Sequence, residues 1–153
     1  MNAPQIILLI AGIFVIQALL WFILSRWLKV KTEALRSKMV EQYGRSKEKI
    51  IIEPKSALYR GADARFGNVK GNGVIGLTEK GLVFEKITGQ RIEIDRAEIE
   101  KATVEKSFKG KTSFATGGKH LVIKTKDGNR IGFLIKDAEE WAQKINSLTK
   151  EKA

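Results

Sequence analysis

Residues 106–120 read KSFKGKTSFATGGKH, and Gly110, Lys111 and Thr112 are the closing letters of a phosphate-binding loop. A complete loop requires Gly-x-x-x-x-Gly-Lys-[Ser/Thr] between a strand and a helix, so that backbone N–H groups and a helix N-terminus enclose the phosphate. Five residues before Gly110 stands Glu105, not glycine, and residues 113–119 lead into a predicted strand at His120 instead of a helix. The fragment therefore lacks the physical basis for nucleotide binding. Ser107 or Ser113 with His120 supplies two letters of a catalytic triad, but neither serine sits on a nucleophile elbow and no buried aspartate is evident. The acidic residues fall mostly in turns or on polar strand faces, which supports neither a paired-carboxylate site nor a metal site. No enzymatic activity and no cofactor are expected.

The elements that position this loop are bounded by the whole chain. Its 153 residues, 43% hydrophobic and 29% charged, suit one modest domain with an appendage. The net charge of +11 favours anionic partners such as lipid headgroups, nucleic acid or acidic proteins. The chain contains no cysteine, which excludes disulfides and thiolate chemistry, and a single histidine.

At the N-terminus, Ile6 to Leu24 is uncharged and contains one polar side chain, Gln17. At about 1.5 Å per residue this run covers a hydrocarbon core of about 30 Å. The leading MNAPQ has no basic residue, and bulky LLWFILSRW stands where a signal peptide would carry small residues, so an anchor is expected over a cleaved leader. Arg26, Lys29, Lys31, Arg36 and Lys38 follow at once, which places the C-terminal side in the cytoplasm and the N-terminus outside. The expected organisation is an anchor over 1–25, a basic juxtamembrane helix or linker over 26–54, and a domain over 55–150. Within the second segment Leu35, Met39 and Tyr43 form a narrow stripe. It suits a dimerising stalk, a helix in the headgroup layer, or a plain spacer.

After Pro54 the hydrophobic period becomes two, and strands are predicted near 57–64, 73–78, 82–86, 91–95, 99–106, 120–126 and 130–135. Ile92 and Ile94, Leu121 and Ile123, and Ile131, Phe133 and Ile135 are the expected core positions. Thr78-Glu79-Lys80-Gly81, Thr88-Gly89 and Asp127-Gly128 carry the turn chemistry. A last helix starts at Asp137, a candidate N-cap, and presents Trp141, Ile145 and Leu148 on one face. That face is expected to plug an open end of the strands.

The stretch GNGVIGLTEKGLVFEKITGQRIEIDRAEIEKATVEKSFKGK, with LVIKTKDGNRIGFLI and KDAEEWAQKI, resembles the pleckstrin-homology superfold, particularly its GRAM-like and prokaryotic members. The most specific pieces are Leu-Thr-x-x-Gly-Leu-x-Phe over 77–84 and the Asp-x-x-x-Trp helix start. The resemblance implies a mainly β fold: a seven-stranded, bent antiparallel barrel capped by a C-terminal α-helix, here preceded by a transmembrane helix. It also implies a role in binding. The family's phosphoinositide binders carry a basic residue on the first strand and a basic-x-Arg pair on the second; here Arg60, Arg65 and Lys70 answer the first, but the second reads Val74-Ile75-Gly76. In some relatives of this superfold the fifth-to-sixth-strand loop works with the first hairpin loop as an atypical anion site, which would group Arg65, Lys70, Lys109 and Lys111. Lys86, Arg91, Lys126 and Arg130 form a secondary rim of basic residues at strand ends.

These readings converge on a single-pass membrane protein whose cytoplasmic domain binds a protein partner as an adaptor. Reading of anionic lipid and formation of an oligomeric membrane scaffold are the alternatives. Phe108 and Phe114 flank Lys109 and Lys111 as in single-strand nucleic-acid binders, yet loop phenylalanines fold back on a barrel wall equally well, and an anchored domain meets little nucleic acid.

Overall fold

The computed structural model describes residues 2–112 and 119–150, the side chains of Lys111 and Thr112 apart. Helix α1 runs unbroken over Ala3–Ser46. It ends where Lys47 adopts a left-handed conformation (φ 53°) and its N–H bonds back to Tyr43 O. Strands β1 (Ile50–Ala62), β2 (Gly71–Thr78), β3 (Gly81–Lys86), β4 (Arg91–Asp95), β5 (Ile99–Glu105), β8 (His120–Thr125) and β9 (Arg130–Leu134) follow, and helix α2 (Ala138–Lys150) closes the fold. Two-residue strands β6 (Ser107–Phe108) and β7 (Lys111–Thr112) make a separate hairpin.

The seven main strands form one antiparallel sheet ordered β4-β3-β2-β1-β9-β8-β5. It bends because β1 serves two partners: Ile50 to Tyr59 pair with β2, and Leu58 to Ala62 pair with β9. The register slips between Tyr59 and Gly61, and Gly61 takes φ 108°, so the turn of the strand is built from a bulge and a glycine. Among the described residues no ladder joins β4 to β5. A 3-10 turn at Arg96–Glu98 bridges them, with Arg96 N donating to Lys80 O at 2.7 Å and Lys126 N donating to Glu98 O at 2.8 Å.

The interior is apolar and aromatic. Tyr59, Phe84 and Phe133 meet with ring centroids 5.3–5.8 Å apart, surrounded by the expected Ile92, Ile94, Leu121, Ile123 and Ile131. Helix α2 lays Trp141, Ile145 and Leu148 into this core, all buried, as its stripe requires. It also closes the free edge of β5: Asn146 accepts from Ala102 N at 2.8 Å and donates to Ala102 O at 2.9 Å, acting as a one-residue strand. Asp137 directly precedes α2 but is left-handed (φ 63°), and its carboxylate faces Lys55 at 3.7 Å. In the 77–84 signature the glycine has a steric reason. A Cβ on Gly81 would stand 2.2 Å from Ile94 O, so this turn closes against β4 only without a side chain.

Strand β1 begins at Ile50, seven residues earlier than the alternation indicates, and Pro54 lies inside it. The stripe of α1 has a use that the sequence reading did not include. Met39 (1% exposed) and Tyr43 (3%) pack on Val74 and Val83, with Leu35 and Ile50 at the margin, as a second apolar cluster on the outer face of β2 and β3. The stripe is therefore consumed within the chain.

Candidate functional site

The dock of α1 decides which barrel surfaces remain available. Its apolar centre is flanked by polar ties: Lys38 Nζ lies 3.2 Å from Glu85 Oε1, Arg36 3.6 Å from Glu53, and Arg91 Nη1 donates to Gln42 Oε1 at 2.9 Å. Glu85 is 7% exposed, and Arg91 approaches its other oxygen at 3.8 Å, so two cations offset its desolvation. Val74 is fully buried, and a Cβ on Gly76 would meet Met39 and Tyr43 at 3.6 Å. The two positions that stand in place of the family's basic pair thus lie beneath α1.

Of the first group of candidate cations, the structure joins the two loops through Lys109. The tight β6–β7 turn puts Lys109 (φ 51°) and Gly110 (φ 68°) in left-handed conformations, the pattern of a primed hairpin turn. From there Lys109 Nζ donates to Ala62 O and Asn68 Oδ1 and faces Asp63 at 3.5 Å. Lys109 thus ties the β5–β8 connection to the first hairpin loop, with its charge directed inward as a clasp. Arg65 pairs with Glu98 at 2.7 Å and stacks on Phe66 at 5.2 Å. Lys70 is exposed on the same loop. The Lys111 side chain, and Phe114 with it, lie outside the described residues.

Phe108 folds onto the barrel. It is 2% exposed and sits over Gly132, where an added Cβ would be 2.4 Å from its ring. Arg130 lies over that ring at 5.5 Å and pairs with Glu105 at 2.7 Å. This hairpin is a packed part of the fold and offers no stacking platform at Phe108.

The secondary rim divides. Arg91 turns to α1 and Arg130 to β5, while Lys126 is exposed in the β8–β9 turn. Lys86 lies inside, 2% exposed: its ammonium donates to Val69 O at 2.6 Å and to Gln90 Oε1 and stands 4.6 Å over the Tyr59 ring. Sequence alternation could not show this, because the Val69 contact comes from the β1–β2 loop, seventeen residues away in the chain. Desolvation holds the Lys86 ammonium below the usual lysine range.

The same burial pushes Tyr59 up to about 12. Its hydroxyl donates to Gly67 O at 2.7 Å and to Phe66 O at 3.1 Å, contacts that a phenolate would turn into repulsion. A raised folded-state value means that Tyr59 contributes its full stability below about pH 10, its unfolded value, and loses it as pH rises toward about 12. Lys86 works in the opposite sense, since its charging cost is relieved as pH rises through its depressed value. We expect the stability of the barrel to fall across the window from about pH 10 to about 12 in which Tyr59 and Tyr43 both titrate, and Tyr59→Phe to move the alkaline transition upward. Circular dichroism recorded alongside phenolate absorbance checks this; an unshifted transition in the variant would show that another group controls alkaline unfolding.

A groove of about 1280 Å³ separates the turns of α1 that follow the apolar run from the barrel. Residues 28–33 form one wall; β1 near Leu58, Ile87, and the β9–α2 connection from Leu134 to Glu139 form the other. No candidate residue identified from the sequence lies here. The available signal was the absence of alternation in β2 and β3, where GVIGL and LVF are apolar on both faces and so require a cover.

No protein-family model matches this chain, and no curated protein matches it. Among the solved structures that resemble it are three at 16% identity. The C-terminal domain of an unknown protein from Leishmania infantum aligns over 74% of this chain and 95% of that one with a TM-score of 0.49. The pleckstrin homology domain of USP37 aligns over 62% and 97% with a TM-score of 0.45. The Spt16D Pob3N heterodimer aligns over 63% of this chain and 50% of that one with a TM-score of 0.43.

Proposed function

We propose that this chain is a membrane-anchored binding module that recruits a protein partner at the cytoplasmic face, with its N-terminus outside. The observation that carries the reading is the continuity of α1. One helix contains the apolar run, long enough to cross a membrane, and then the stripe that fastens the barrel. A barrel fastened in this way is presented to partners in one orientation. The partner surface in this reading is the first hairpin loop with the Lys109 turn that is tied to it, carrying Arg65, Lys70 and Lys111, and its basic character favours an acidic protein segment. Barrel reading of anionic lipid is the weaker alternative, because Val74 and Gly76 stand where the resemblance would need a basic pair and are covered by α1. Dimerisation through Leu35, Met39 and Tyr43 is disfavoured by their burial on the barrel.

The absence of cysteine makes orientation directly measurable. In intact cells a membrane-impermeant maleimide should label Gln5→Cys and reach Gln90→Cys only after lysis. Crosslinking of the full chain in cells, followed by mass spectrometry, should then yield an acidic protein partner that is lost from Arg65→Glu/Lys111→Glu. Retention of the same partners by that variant, or labelling of Gln90→Cys in intact cells, would overturn the assignment.

A further inference from the structure

The groove beside α1 stands at a defined height. Leu24 ends the uncharged run, so Leu28 lies about 6 Å and Glu33 about 13 Å further along the helix axis. Headgroups occupy roughly 5–8 Å on each side of a bilayer core. The helical wall of the groove therefore begins inside the headgroup layer and ends just beyond it. Strand β1 runs back toward the membrane beside α1, since Glu53 meets Arg36 at 3.6 Å and Ser56 to Leu58 then reach the level of residues 28–33. The groove consequently opens toward the leaflet.

Its charges are not balanced by their own neighbours. Asp137 faces Lys55 at 3.7 Å, Glu139 pairs with Lys119, and Glu33 faces Arg36 at 3.6 Å. Lys29 and Lys136 line the same groove, are exposed, and have no ion-pair partner among the described residues. Between them the walls are apolar, with Leu28, Leu58, Ile87 and Leu134 continuing the greasy surface of the span. Two uncompensated ammonium groups above an apolar channel that opens at headgroup level match a phosphodiester on a glycerol with acyl chains.

We propose that this groove holds one glycerophospholipid of the adjacent leaflet. Its phosphate sits between Lys29 and Lys136, and its glycerol and upper acyl chain lie against Leu28, Leu58, Ile87 and Leu134. The proposal rests on the membrane-anchored reading above and is independent of partner recruitment. The bound lipid fills the space between anchor and barrel and so becomes part of the mount that orients the domain.

The test is photocrosslinking of the full chain in phosphatidylcholine vesicles that contain phosphatidylcholine with a diazirine near the acyl carbonyl. Peptide mapping should find label in the span and also at Leu58, Ile87 or Leu134. Lys29→Glu/Lys136→Glu should lower the barrel label several-fold and leave the span label unchanged, whereas Lys29→Arg/Lys136→Arg should retain both. A labelled span with an unlabelled barrel overturns the lipid site and leaves the anchor standing. An unlabelled span overturns the anchor and the site together. Undiminished barrel label in the glutamate variant also overturns the site, because contact would then not depend on the phosphate.

Discussion

Replacing Met39 with alanine is expected to detach the second half of α1 from the barrel, and Met39→Glu to do so completely. Met39 is 1% exposed and packs among Tyr43, Val74 and Val83. Truncating a buried methionine costs about 2–5 kcal/mol. The interface is one helix face wide, and its remaining ties are polar: Lys38–Glu85, the Arg91–Gln42 hydrogen bond, and Arg36–Glu53, which is exposed on both sides and contributes about 1 kcal/mol or less. A glutamate there would place an unpaired carboxylate against apolar side chains, a larger penalty still. Lys38 and Arg45 are exposed but held in helix, and detachment frees their backbone for trypsin, whose cleavage follows the open population when reclosing is fast. A loss of about 2 kcal/mol raises that population roughly thirtyfold, so cleavage in this segment of the full chain in micelles should accelerate by at least that factor. The β strands should remain resistant. Unchanged cleavage in Met39→Glu would mean that α1 does not rest on β2 and β3 in solution.

The other large effect concerns the barrel itself. Trp141 is fully buried, and its α2 neighbours Ile145 and Leu148 share its apolar surroundings. Trp141→Ala is expected to remove about 3–5 kcal/mol. A domain of this size has only about 5–15 kcal/mol in total, so the variant should lose a large share of its stability and melt at a much lower temperature. The damage should spread, because α2 also carries the Asn146 clasp that closes the β5 edge at Ala102. Trp141→Phe keeps most of the buried volume and should recover over half of the loss. Amide hydrogen exchange of β5 and β8 in the full chain measures both effects, and protection unchanged in Trp141→Ala would contradict the plug.

Local chemistry made much of this fold legible. Alternation located β4 because that strand has one face on the core and one toward water, as Ile92 and Ile94 between exposed neighbours show, whereas β8 and β9, legible from Leu121, Ile123, Ile131 and Phe133, are buried on both faces. Asp127-Gly128 and Thr78-to-Gly81 marked turns because few backbones other than glycine accept those conformations. The start of β1 was missed because Ile50, Ile51 and Ile52 read as a continuous apolar run, which cannot separate a strand from a buried helix. The candidate cations stand in loops and at strand ends. Their roles were not readable, since Lys86 and Lys109 bond to Val69 and Ala62, carbonyls brought near only by the folded sheet.

The sequence by itself determined an apolar helix that can span a membrane, a following stripe, a period-two domain and a plugging helix, because each depends on side chains within a few residues of one another. Tertiary structure decided where the stripe goes. Leu35, Met39 and Tyr43 could have met a second copy, the headgroup layer or water, and only the outward placement of Val74 and Val83 on adjacent strands supplies the matching apolar face. That choice covers one side of the barrel, turns Arg91 and Glu85 into a clamp, and leaves a groove between Lys29 and Lys136. Contacts of this kind join residues some forty positions apart, and no periodicity in a single chain records which distant face will be opposite.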